Sequence, residues 1–121
     1  MPTANRVKDF LDRVQSNEHV QAIEEFYHVD ATMQENLSPP RGPRAALMES
    51  ERKILAAHKG VVTRLIDPVF INGDQVVIHW VLEFTRPDDT VMRIEELAHQ
   101  TWRGDRIASE RFYYDPAQMR A

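Results

Sequence analysis

Along the first part of the chain the apolar residues fall at intervals of three and four. Val7, Phe10, Leu11 and Val14 recur at i, i+3, i+4 and i+7, with Lys8, Asp9, Asp12 and Arg13 on the other side. This spacing predicts an amphipathic helix, capped by Thr3 or Asn5. Val20, Ile23, Phe26 and Tyr27 repeat the interval after "SNEH", so a second, shorter helix folds back on the first in a hairpin around Asn17. "ATMQEN" then alternates as a strand, placing Ala31, Met33 and Glu35 on one face. A third helix begins at Pro43, where a first-turn proline is tolerated. It runs through Leu47, Glu51, Ile54, Leu55 and His58 to a stop at Gly60.

Beyond Gly60 the period changes to two. Four strand-like runs follow, separated by "NGD", "RPDDT" and "RGD". These are turns by chemistry, because asparagine and glycine accept positive φ and Pro87 presets φ. Pro68 cannot donate to a ladder, so the strand over 61–72 is expected to bend or bulge there. Two helices, a strand, a helix and a long meander predict an α+β fold: three N-terminal helices packed on one face of a curved, mostly antiparallel sheet. The 121 residues suit one domain spanning 1–121.

Centring the turn "RPDDT" on Asp88 sets Trp80 opposite Glu96, Leu82 opposite Ile94, Phe84 opposite Met92, Ile78 opposite Ala98 and Val76 opposite Gln100. That face is apolar apart from Glu96 and Gln100 and is the candidate interior. The other face, with Glu83 opposite Arg93 and Val81 opposite Glu95, is the candidate outside. A carboxylate beside tryptophan and isoleucine costs several kcal/mol to desolvate. Either the register is shifted by one residue, or the face lines a cavity that holds water or ligand. In the last strand a two-residue turn places Ile107, Ser109, Arg111 and Tyr113 inside; a three-residue bulged turn places Ala108, Glu110, Phe112 and Tyr114 there.

Composition narrows the chemistry. With 42% hydrophobic and 28% charged residues the chain reads as an ordinary globular protein, expected in the cytoplasm, since the N-terminus lacks a secretory apolar run and no segment approaches a membrane span. No cysteine is present, which leaves oxygen and imidazole groups to build a site. A net charge of -4 with scattered basic residues offers no footprint for nucleic acid. The five histidines (His19, His28, His58, His79 and His99) form no metal-binding spacing, and no metal is expected. No phosphate-cradling loop, dinucleotide fingerprint or nucleophile elbow occurs, and no cofactor is expected. The remaining candidates are carboxylates in an apolar setting, where burial raises the pKa toward neutrality. Glu35 shares the face of Met33; it can serve as such an acid or pair with Arg41 or Arg44.

With these elements in place, the stretches "EEFYHVDATMQEN", "PPRGPRAALMES", "RIEELAHQTWRGDRI" and "ERFYYDP" resemble the SnoaL-like polyketide cyclase branch of the nuclear transport factor 2-like superfamily, over nearly the whole chain. The resemblance implies a cone-shaped α+β fold shared with ketosteroid isomerases. It places Glu35 where those isomerases carry their proton-shuttling carboxylate, whereas their tyrosine donor and protonated acid fall near Leu11 and Ala98. Glu96, or Glu110 in the bulged register that the resemblance favours, can stand in for the missing acid.

The reading that follows is a homodimer, joined through the outer sheet face, whose apolar pocket performs cofactor-free isomerisation, cyclisation or dehydration of a small hydrophobic carbonyl compound. Glu35 is the expected base and Glu96 or Glu110 the second proton-transfer group. Tyr27, Trp80, Phe84, Trp102 and Tyr114 are the expected walls, and Gln100 a ligand contact. The alternatives are a non-catalytic small-molecule or lipid-binding module and, more weakly, an epoxide hydrolase using Glu35, Arg111 and Glu96.

Overall fold

The computed structural model describes residues 1–120. Helix α1 (Ala4–Gln15) starts where Thr3 Oγ1 accepts the Arg6 amide at 3.0 Å, and buries Val7, Phe10 and Leu11. Asn17, at φ 63°, turns the chain into α2 (His19–Phe26). Tyr27 is already extended, so α2 ends one residue earlier than its spacing predicts. Strand β1 (Tyr27–Glu35) correspondingly begins four residues before "ATMQEN", because Tyr27 pairs with Ile107 across the sheet. Helix α3 (Arg44–Ala56) buries Leu47 and Met48 and closes on Ala57, so Gly60 opens the next strand instead of ending the helix.

Strands β2 (Gly60–Asn72), β3 (Gln75–Thr85), β4 (Val91–Arg103) and β5 (Arg106–Tyr113) form the antiparallel meander, and β1 joins its far edge parallel to β5, giving the order β1-β5-β4-β3-β2. The β3–β4 register pairs Trp80 with Glu96, Phe84 with Met92 and Val76 with Gln100, as the turn predicts. The β2 ladder breaks between Ile66 and Phe70, around Pro68. In the last hairpin Arg103 pairs with Arg106 across a two-residue turn, and a bulge follows between Trp102 and Thr101 on the ladder. The extra residue lets Ile107 and Glu110 both face inward, so each expected register holds for half the strand.

The helices cover one face of this sheet, with Val76, Ile78, Ala98 and Ile107 fully buried beneath them. Two features shape the edge next to the site. Asn36, at φ 48°, accepts the Tyr114 amide through its side chain and donates its own amide to Phe112 O, clamping the end of β1 to β5. The loop then folds back so that Met33 and Arg41 exchange backbone hydrogen bonds of 2.9 and 2.8 Å. The return brings Gly42 against β1: a Cβ there would stand 2.5 Å from Ala31 O. Gly42→Ala is therefore expected to lower stability by about 1–3 kcal/mol in a denaturant titration, because the loop must lift off the strand.

Candidate functional site

Between the helices and the sheet lies a cavity of about 260 Å³. Its floor is sheet: Trp80, Leu82 and Phe84 from β3, Met92, Ile94 and Glu96 from β4, and Glu110 and Phe112 from β5. Its roof is helical, with Phe10, Ile23, His19, Glu51 and Ile54, and the exposed Arg41, Ile54 and Met119 mark its mouth. The volume falls below the ~300 Å³ at which drug-sized ligand sites begin, so the space suits a smaller molecule.

Glu110 is the most deeply buried acid, 3% exposed, and neutral donors hold both of its oxygens. The Tyr27 hydroxyl donates to Oε1 and Gln100 Nε2 to Oε2 at 2.7 Å. Trp102 Nε1 donates to Gln100 Oε1 at 3.0 Å, which fixes the amide orientation and completes a buried network. Burial pushes the Glu110 carboxyl up to about 7; the Tyr27 and Gln100 hydrogen bonds hold it from rising further, while Glu35 and Glu51 raise it. Burial, followed by the Glu110 charge, likewise pushes the Tyr27 phenol well above its usual value, so it remains a donor.

Glu96, opposite Trp80, has no hydrogen-bond or ionic partner among the described residues and opens onto the cavity. Burial, reinforced by the charges of Glu110, Glu35 and Glu51, pushes it up to about 8. At neutral pH it is therefore the acid form. Glu35 reaches the rim, but Arg41 grips it bidentately, with Nη2 at 3.0 and 2.9 Å from its two oxygens and Nε at 3.2 Å from one. A carboxylate locked to a guanidinium is a poor proton acceptor, which corrects the expectation that Glu35 is the base. Arg44 instead binds the carbonyls of Glu24 and Tyr27.

Of the expected walls, Tyr27, Trp80, Phe84 and Tyr114 line the cavity. Gln100 and Trp102 do not. They are 0% and 1% exposed, with the Trp102 ring packed edge-on against Phe10, so neither reaches a ligand; both act behind Glu110. Arg111 also lies outside the cavity, its Nε bound to Asn36 O and its guanidinium over the Tyr113 ring, so the set Glu35, Arg111 and Glu96 is not assembled. His19 and Glu51 complete the site without having been singled out. The signal was present, since Glu51 sits within the apolar stripe of α3 and His19 lies four residues before Ile23 on the buried side of α2. No group of three or more acidic or histidine side chains arranged to hold a metal ion occurs among the described residues, and none of their helices is long and apolar enough to cross a membrane.

The two raised carboxyls have a thermodynamic consequence. Glu96 ionises near 4.5 in the unfolded chain and near 8 when folded, so the folded state holds the extra proton between these values. Its contribution is fully present below pH 4.5 and is lost as pH rises through about 8; Glu110 acts in the same sense up to about 7. Wild type should accordingly lose a few kcal/mol from pH 5 to pH 9, and Glu96→Gln should flatten that loss in urea titrations at the two pH values.

The SnoaL-like domain family model matches residues 7–110. Among solved structures, a Mesorhizobium loti protein provisionally assigned as a SnoaL-like polyketide cyclase aligns at 22% identity and TM-score 0.78, over 94% of this chain and 100% of that one. A Catenulispora acidiphila protein with a ketosteroid isomerase-like fold, in complex with trimethylamine, aligns at 17% identity and TM-score 0.79, over 97% and 90%. An LEH-like epoxide hydrolase of M. tuberculosis aligns at 15% identity and TM-score 0.75, over 95% and 84%. These likenesses concern the fold. No curated protein sequence matches significantly. The family match over most of the chain, together with the helix-covered curved sheet, identifies this protein as a member of the SnoaL-like domain family, with the ketosteroid isomerase-like fold of the nuclear transport factor 2-like group.

Proposed function

We propose that this chain carries out cofactor-free acid–base chemistry of the isomerase, cyclase or dehydratase type on a small hydrophobic carbonyl compound bound in the cavity. The observation that carries this reading is Glu96: a carboxyl without a partner among the described residues, facing an apolar space that is also lined by a second carboxyl, Glu110, held by neutral donors. Burial raises both toward neutrality, to about 8 and about 7. Glu96, which no donor among the described residues meets, keeps its proton more readily, while the Tyr27 and Gln100 hydrogen bonds favour Glu110 as the carboxylate. Glu96 then donates to the carbonyl oxygen while Glu110 takes a proton from the adjacent carbon, the C–H pair becoming the enol double bond. Glu96 thereby covers the donor role that the isomerase resemblance would have placed near Leu11 and Ala98. The binding-module alternative uses the same cavity without the transfer.

The assignment sets a pH profile. Activity should rise through about pH 7 as Glu110 ionises and fall through about pH 8 as Glu96 loses its proton, giving a narrow bell. Glu96→Gln should lower turnover by about 10²-fold or more with ligand affinity little changed. A profile flat from pH 6 to 9, or turnover indifferent to both acids, would contradict the reading.

The proposal includes a homodimer through the outer sheet face. Val62, Ile66, Phe70, Leu97 and Tyr113 stand exposed there, Phe70 by 63%, among the pairs Arg64–Glu83 and His79–Glu95. Scattered apolar groups on a sheet face between charge pairs are what a second copy would cover. Sedimentation at micromolar concentration should give a dimer that Leu97→Arg weakens; a wild-type monomer would exclude it.

A further inference from the structure

The acids around the cavity are held in different ways. Arg41 neutralises Glu35, Tyr27 and Gln100 bind Glu110, and Glu96 has no partner. Glu51 is held by one oxygen only, with Oε1 3.1 Å from His19 Nδ1, and its Oε2 has no partner among the described residues. It descends from α3 in the helical roof, whereas Glu96 and Glu110 stand on the sheet floor, so it meets them across the cavity. Its charge is among those acting on Glu96, Glu110 and Tyr27.

His19 is 7% exposed and both its nitrogens are engaged. Nε2 lies 2.8 Å from Thr63 Oγ1, which in turn donates to Asn17 Oδ1 at 2.9 Å. The ring cannot turn without breaking one of these bonds, so Glu51 is held through Oε1 at its place on the cavity wall. As a tie, the set joins α2, α3, β2 and the turn before α2. What a carboxylate adds is a proton acceptor on the cavity.

We propose that Glu51 is a further catalytic group, a proton acceptor working from the helical wall, and that His19 positions it. The proposal rests on the acid–base reading and adds to it an acceptor over the face of a flat ligand opposite to Glu110. In the step, Glu51 takes a proton from carbon, the C–H pair forms the enol double bond, and the carbonyl oxygen is met by the proton of Glu96. The proton on Glu51 then returns to a carbon of the enol and the enol O–H proton goes back to Glu96, so both acids recover their starting forms.

The probe 5-nitrobenzisoxazole tests this without knowledge of the natural ligand. A carboxylate removes its C3 proton, the C–H pair forms the nitrile, and the N–O bond breaks to release a coloured phenolate. Wild type should exceed an equal concentration of acetate. Glu51→Gln should lower kcat by about tenfold or more with KM held within about twofold. His19→Gln, which keeps an amide donor, should lose kcat to a smaller extent at unchanged KM. A merely structural role for His19 would move thermal stability and leave kcat on the folded fraction intact. If Glu51→Gln keeps wild-type kcat while Glu110→Gln loses it, this proposal fails and the acid–base reading stands. If neither acid matters, or wild type does not exceed acetate, both fail. Should Glu51→Gln not fold, Glu51→Asp, which keeps the charge but withdraws it by one methylene, is judged by the same criteria.

Discussion

A carboxyl group taken out of water without a cation holds its proton to higher pH, and much of this molecule is arranged around two such groups. Glu96 and Glu110 stand on the buried face of the sheet, and the guanidinium that lines the cavity among the described residues, Arg41, is committed to Glu35. The fold thus separates its acids by environment. One is neutralised by arginine, one is hydrogen-bonded by neutral donors, and one is left bare against tryptophan. The last two lack an opposing charge, so burial moves their ionisation toward neutrality.

The supports for this arrangement are distributed over distant parts of the chain. The β3–β4 register fixes Glu96 opposite Trp80, while the bulge in β5 rotates Glu110 inward after Ile107 has already been buried. Trp102 orients Gln100, and Gln100 orients Glu110. At the rim, the close approach of Gly42 to Ala31 folds the loop so that Arg41 meets Glu35.

Much of this was legible in the residues themselves. Strand alternation and the "RPDDT" turn determine the β3–β4 pairing, and with it the anomaly of Glu96 on an apolar face. The turn chemistry of "RGD" could not reveal a bulge two residues further on, which depends on packing Ile107 and Glu110 together. Gln100 and Trp102 share the inner face with Glu96, yet that face extends beyond the cavity to where α1 seals it, so a shared face did not mean a shared site. The parallel pairing of β1 with β5 joins residues some eighty positions apart and leaves no local trace. Glu35 was ambiguous for a local reason, because its acid role and its pairing with Arg41 draw on the same neighbouring loop.

The central claim is that Glu96 is a neutral acid at physiological pH because no cation or hydrogen-bond donor among the described residues compensates its charge. Carboxyl ¹³C NMR of glutamate-labelled protein, assigned with Glu96→Gln, measures this directly. The account predicts a Glu96 resonance still protonated at pH 7 and titrating near 8, with Glu110 titrating below it. A Glu96 carboxyl that ionises near the ordinary value of 4.5 would contradict it.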